Sequence, residues 1–123
     1  MKSYTDLEQS KKLAEILPLE SADMEYLRLK ETNATIGSVP FVKDESEVEN
    51  SAYNAVYDRI PCWSLTALLD ILPDRTCVYK KTCKDGRVKY KGVVKGCKEL
   101  ILKDNPIDAC VKMILKLHEI KTI

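Results

Sequence analysis

The chain reads as an α+β protein, with about three helices packed on a mostly antiparallel sheet built from hairpins. Apolar residues recur at helical spacing in three stretches, each with its own start or stop signal. Between the second and third lies a strand-forming run with Asp85-Gly86 at its centre, the strongest short hairpin signal. The chain has 123 residues, the length of a single compact domain with enough buried surface to fold without a metal or disulfide.

Residues 5–17 form the first expected helix. Leu7, Leu13, Ala14, Ile16 and Leu17 share a stripe, Thr5 with Glu8 fits a capping box, and Pro18 closes the segment. "MEYLRL" at 24–29 reads as a strand, and residues 35–42 are its expected partner across a turn near "KETN". Residues 43–59 show no firm period. With Asp44, Glu45, Glu47, Glu49 and Asp58 they read as an exposed acidic loop.

The second helix begins at "IPCWSLTALLDILP", residues 60–73. Ser64 is placed as N-cap, with Trp63 and Leu68 at the positions of a hydrophobic staple and Pro73 as the stop. Cys62 then lies outside the helix. The helix dipole fades beyond the first turn, so Cys62 reads as a packing thiol, with a reactive thiolate as the alternative.

Residues 76–94 form the expected central hairpin. A two-residue Asp85-Gly86 turn sets Cys83 opposite Val88, Lys81 opposite Tyr90, Tyr79 opposite Gly92 and Cys77 opposite Val94 on an inward face. The outer face then pairs Val78 with Val93, Lys80 with Lys91 and Thr82 with Lys89. "CKELILK" is a candidate for a third strand. In the last helix Asn105 caps, Pro106 takes the first position, and Ile107, Cys110, Val111, Ile114, Leu117 and His118 form the stripe. "LAEILP" at 13–18 echoes "LLDILP" at 68–73, which fits a degenerate helix-plus-hairpin duplication and convergent helix endings equally well.

Catalytic and metal-binding patterns are sparse. The five cysteines include no Cys-x-x-Cys pair, and Cys77, Cys83 and Cys97 have irregular spacing. His118, the one histidine, lies eight residues from Cys110, about 12 Å along a helix. No glycine-rich phosphate loop is present. No cofactor or metal is expected, and a non-enzymatic role is favoured over an enzyme. The polar start "MKSYTDLEQSKK" and the absence of long apolar runs imply free thiols in the cytoplasm and no membrane span.

Charge is segregated. Residues 75–98 hold nine basic residues and one acidic, whereas residues 1–59 hold seven basic and twelve acidic. Lys80, Lys84, Arg87, Lys89 and Lys91 therefore mark a strip for phosphate or an acidic partner, although lysines there also keep an exposed hairpin soluble. In the expected register both Tyr79 and Tyr90 point away from the strip, leaving no stacking surface beside it.

"LEQSKKLAEILPLESADM" at 7–24, "IPCWSLTALLDILP" at 60–73 and "NPIDACVKMILKLHEI" at 105–120 resemble a family of small uncharacterised proteins from gut Bacteroidetes and their phages or mobile elements. The resemblance spans about 40% of the chain and implies a cytoplasmic bacterial or phage accessory protein. It carries no activity or catalytic residue across.

The leading functional expectation is thus a small non-enzymatic accessory or protein-interaction domain, acting on another protein or by self-association. Weak nucleic-acid binding through hairpin 76–94 is the first alternative, and a thiol-dependent enzyme using Cys62 the second.

Overall fold

The computed structural model describes residues 2–35, 39–42, 56–94 and 100–120. It has the expected α+β fold, and among the described residues there are three α-helices and two three-stranded antiparallel sheets. The chain divides into two compact units, one formed by Asp6–Trp63 and the other by Met1–Thr5 with Ser64–Ile123.

In the unit Asp6–Trp63, α1 spans Leu7–Ala14 and is capped one residue later than expected. The Asp6 carboxylate accepts from the Gln9 amide at 2.8 Å, and the Gln9 side chain accepts from the Asp6 amide at 3.1 Å. A carboxylate reaches the free amides of the first turn as well as a hydroxyl does and also favours the positive helix end. Thr5, the expected cap, is instead fully buried. Amides of Ile16 and Leu17 still bond to the Leu13 carbonyl, so the last turn tightens just before Pro18. Pro18 then caps a 3-10 turn, Leu19–Ser21.

The sheet of this unit has β1 (Met24–Leu29) at its centre, flanked by β2 (Phe41–Val42) and β3 (Tyr57–Cys62). The expected β1 partner is present, with Phe41 and Val42 paired to Glu25 and Met24 and Thr35 bridged to Arg28. Residues 36–38 of that segment lie outside the described residues. The turn expected near "KETN" returns through Asn33, whose φ of 59° suits asparagine better than most residues.

Strand β3 corrects the reading of 43–59 as loop: residues 57–59 pair with β1, and the strand continues to Cys62. Pro61 argues against a strand in sequence, but β3 is an edge strand, where a missing N–H leaves no ladder bond unmade. Residues 43–55 of the expected acidic loop lie outside the described residues. Helix α1 packs on β3. Leu13, Leu17, Tyr26, Leu27, Ile60 and Trp63 are buried in this unit. The Trp63 indole N–H donates to Ser21 Oγ at 3.0 Å, and Ser21 in turn donates to the Pro18 carbonyl at 2.6 Å.

In the other unit, α2 spans Leu65–Ile71 with Ser64 as its cap, accepting from the Ala67 amide at 3.2 Å. Leu68 is fully buried, whereas Leu69 beside it is exposed. Strands β4 (Cys77–Thr82), β5 (Val88–Val93) and β6 (Ile101–Lys103) form a meander in that order. Helix α3 (Pro106–Glu119) lies against this sheet and against α2. Asn105 caps it as expected, accepting from the Asp108 amide at 2.9 Å. Val94, Ile101, Ala109, Met113 and Leu117 make the core, joined by Leu72, Val78 and Tyr90.

The two sheets differ in strand order: the first strand after α1 is central in its sheet, whereas the first strand after α2 is an edge.

Candidate functional site: the outer face of the second sheet

The site is decided by the register of the β4–β5 hairpin, which is one residue away from that expected. Cys77 faces Val93, Val78 faces Gly92, Tyr79 faces Lys91, Lys80 faces Tyr90, Lys81 faces Lys89 and Thr82 faces Val88. The cause is the turn. A two-residue type I′ loop needs positive φ at both central residues, and here only Gly86 has it, at 85°. The Gly86 amide bonds back to the Cys83 carbonyl at 2.9 Å, and the Cys83 amide bonds to the Arg87 carbonyl at 2.8 Å. That is a three-residue loop, with an ordinary turn followed by one left-handed glycine. Asp85 Oδ1 accepts from the Arg87 amide at 3.0 Å and holds Asp85 in its local turn.

A one-residue shift exchanges the faces of β5 relative to β4. Val78, Tyr90 and Gly92 now share the face covered by α3, with Val94 and Ile101 beside them. Cys77, Tyr79 and Lys81 of β4 share the other face with Lys89, Lys91 and Val93 of β5 and Leu102 of β6. On this outer face Tyr79 is 42% and Val93 39% exposed, and Cys77 and Lys81 are also exposed.

The predicted basic residues are only partly brought together. Lys91 stands beside Tyr79, its Nζ 6.0 Å from the ring centroid, within cation–π range. Lys89 is on the same face and forms an ion pair with Asp104 across the strands. Arg87 ends the same row and meets Asp85 at 3.3 Å. Lys84 lies in the exposed turn. Lys80 does not belong to this face: it stands opposite Tyr90, on the side of α3. Lys81, missed in the sequence reading, takes its place. The signal for Lys81 was ambiguous in the sequence, because an Asp-Gly pair serves both the two-residue turn and the three-residue loop. Lys81, Lys84 and Lys91 have no carboxylate partner among the described residues.

Tyr79 also changes sides. It was expected to point away from the lysines, and it lies among them, with Lys81 two residues along its own strand, about 7 Å away.

The thiols are arranged differently. Cys62 closes β3 and has no exposed surface. Cys110 on α3 is equally buried, and desolvation pushes its pKa from 9.0 up to about 11, so it keeps its proton at neutral pH. Cys77 is exposed and Cys83 partly so; all four are free thiols. Cys97 lies outside the described residues. His118 is exposed near the end of α3. Among the described residues no group of three or more His, Cys, Asp or Glu is placed to hold a metal ion, and no helix is long and apolar enough to cross a membrane.

No family model matches the chain, and no curated protein or solved structure is similar enough to count as a match.

Proposed function

We propose that this protein is a non-enzymatic accessory domain that works by binding a partner on the outer face of the β4–β5–β6 sheet. The observation that carries this reading is the exposed cluster of Tyr79, Val93 and Cys77 with Lys81 and Lys91, on the sheet face turned away from α3. An aromatic ring left in water between cations is costly to hydrate well and ready to be covered. The sealed Cys62 and the protonated Cys110 support a binding role over thiol chemistry, since the thiolate is the nucleophile. An accessory role in a bacterium or its phage is supported by the resemblance of the segments at 7–24, 60–73 and 105–120.

Site-directed photo-crosslinking tests this. p-Benzoylphenylalanine in place of Val93 on the outer face is compared with the same probe in place of Glu8, an exposed position on α1. In lysate of the producing cell, discrete adducts are expected from position 93 and not from position 8. No adduct at 93, or equal adducts at both, removes the proposal.

A further inference from the structure

We infer that the partner is single-stranded nucleic acid, with Tyr79 stacking on a base and Lys81, Lys84 and Lys91 neutralising its phosphates; this rests on the binding role of the outer face proposed above. Four cations lie on one face of the hairpin: Lys81, Arg87, Lys89 and Lys91, with Lys84 at the turn beyond. Asp104 answers Lys89 and Asp85 answers Arg87. Lys81, Lys84 and Lys91 keep an unmatched charge of +3 among the described residues. A surface of this sign selects a polyanion.

The aromatic decides between polyanions. An acidic peptide would satisfy the ammonium groups and leave the Tyr79 ring without a flat partner. A nucleobase offers that partner, and every base has a π-face, so one ring among cations suits sequence-tolerant binding of an unpaired strand. In a duplex the base faces are stacked on one another and present only their edges and phosphates. Lys91 Nζ lies over the Tyr79 ring, 6.0 Å from its centroid, so a phosphate held by Lys91 sits beside the aromatic. Val93 and Leu102, beside Lys91 across and along the strands, extend the apolar floor where a sugar or second base would rest. Strand geometry keeps the row straight, since alternate residues on β4 and β5 recur about every 7 Å.

Fluorescence anisotropy of a labelled 15-nucleotide oligothymidine, a mixed-sequence RNA of the same length and the matching duplex tests the inference. The full chain is used in 50–200 mM salt. The single strands are expected to bind more tightly than the duplex, with a salt slope of about −2, the value for three phosphate contacts. Tyr79→Ala is expected to weaken single-strand binding about tenfold without changing that slope, and Tyr79→Phe to retain it. Lys91→Gln and Lys81→Gln are each expected to reduce the slope by about 0.7. Circular dichroism confirms that each variant is folded.

Equal or tighter duplex binding overturns the inference, as does a Tyr79→Ala variant that binds single strands as well as the parent. Absence of binding to all three probes overturns it too. If position 93 still crosslinks to a protein in that case, the binding role stands and the partner is a protein. If it crosslinks to nothing, both readings fall.

Discussion

Gly92 runs directly beneath Met113: a methyl group at position 92 would stand 2.6 Å from the Met113 sulfur and 3.1 Å from Ile101 Cγ2. The missing side chain therefore lets Met113 of α3 pack directly on the β5 backbone. Gly92 sits next to the last residue of β5, the central strand, and glycine normally weakens a strand. The gain is a thioether seated against backbone in the core that Met113 shares with Ile101, Ala109 and Leu117.

Gly92→Ala is accordingly expected to lower stability by about 1 to 3 kcal/mol, the usual range for overpacking. Met113→Ala alone leaves a cavity and is expected to cost about 2 to 5 kcal/mol. In the double variant the new methyl group enters the space the thioether vacated, so the two losses should fall well short of adding. Urea denaturation of all four proteins checks this; strict additivity would mean that residues 92 and 113 are not in contact.

How much of this was legible in the sequence depends on what each feature rests on. Ser64 and Asn105 were identified because their capping bonds are made within three residues. The hairpin was found, but its faces were not, because register depends on the backbone state of Asp85, and composition does not reveal whether an aspartate turns left-handed. That one dihedral carries Tyr79 from the buried side to the lysine side and removes Lys80 from the site. Strand β3 was hidden for another reason: Pro61 speaks against a strand until β1 is known to cover only one of its edges. The cap of α1 slipped by one residue because Thr5 and Asp6 both match the pattern, and burial of Thr5 is a long-range fact.

Glu25 and Arg59 form an ion pair at 3.7 Å between β1 and β3, with the Glu25 side chain only 3% exposed. A charged residue thus takes a buried position in "MEYLRL". Removing one partner of such a pair leaves the other charged and poorly solvated. Glu25→Leu is expected to cost about 3 kcal/mol or more, whereas Glu25→Leu with Arg59→Met should recover most of the loss. Chemical denaturation gives both numbers, and a single variant as stable as the parent would show that the pair holds nothing together.

Arg75 occupies the left-handed region, with φ of 68°, in the turn that joins α2 to β4. The Thr76 amide and hydroxyl both donate to the Pro73 carbonyl, at 3.3 and 2.6 Å, and lock the turn. A positive φ at the third position of a four-residue turn favours glycine. A side chain there costs about 1 to 2 kcal/mol, partly offset by the extra freedom glycine brings to the unfolded chain. Arg75→Gly is expected to stabilise by about 0.5 to 1 kcal/mol, and Arg75→Val to destabilise. A downward shift of the urea midpoint for the glycine variant would mean that the Arg75 side chain makes a compensating contact.

Cys110 sets a pH dependence with a definite sign. Burial raises its pKa from 9.0 to about 11, so the folded protein holds the thiol proton more tightly than the unfolded chain does. Below pH 9 both states keep the proton and this group contributes no slope. Between pH 9 and 11 the unfolded chain releases it while the folded protein retains it, and stability falls as pH rises. The full loss is about 2 to 3 kcal/mol. The test is a difference, which cancels contributions common to both proteins: urea denaturation of the parent and of Cys110→Ala at several pH values from 8 to 11. At pH 8 the parent should be more stable, because alanine leaves a small void in α3's buried stripe. That advantage should shrink steadily above pH 9 and be gone or reversed near pH 11. A constant gap across the range would mean that water reaches the thiol in the folded state and that burial does not hold its proton.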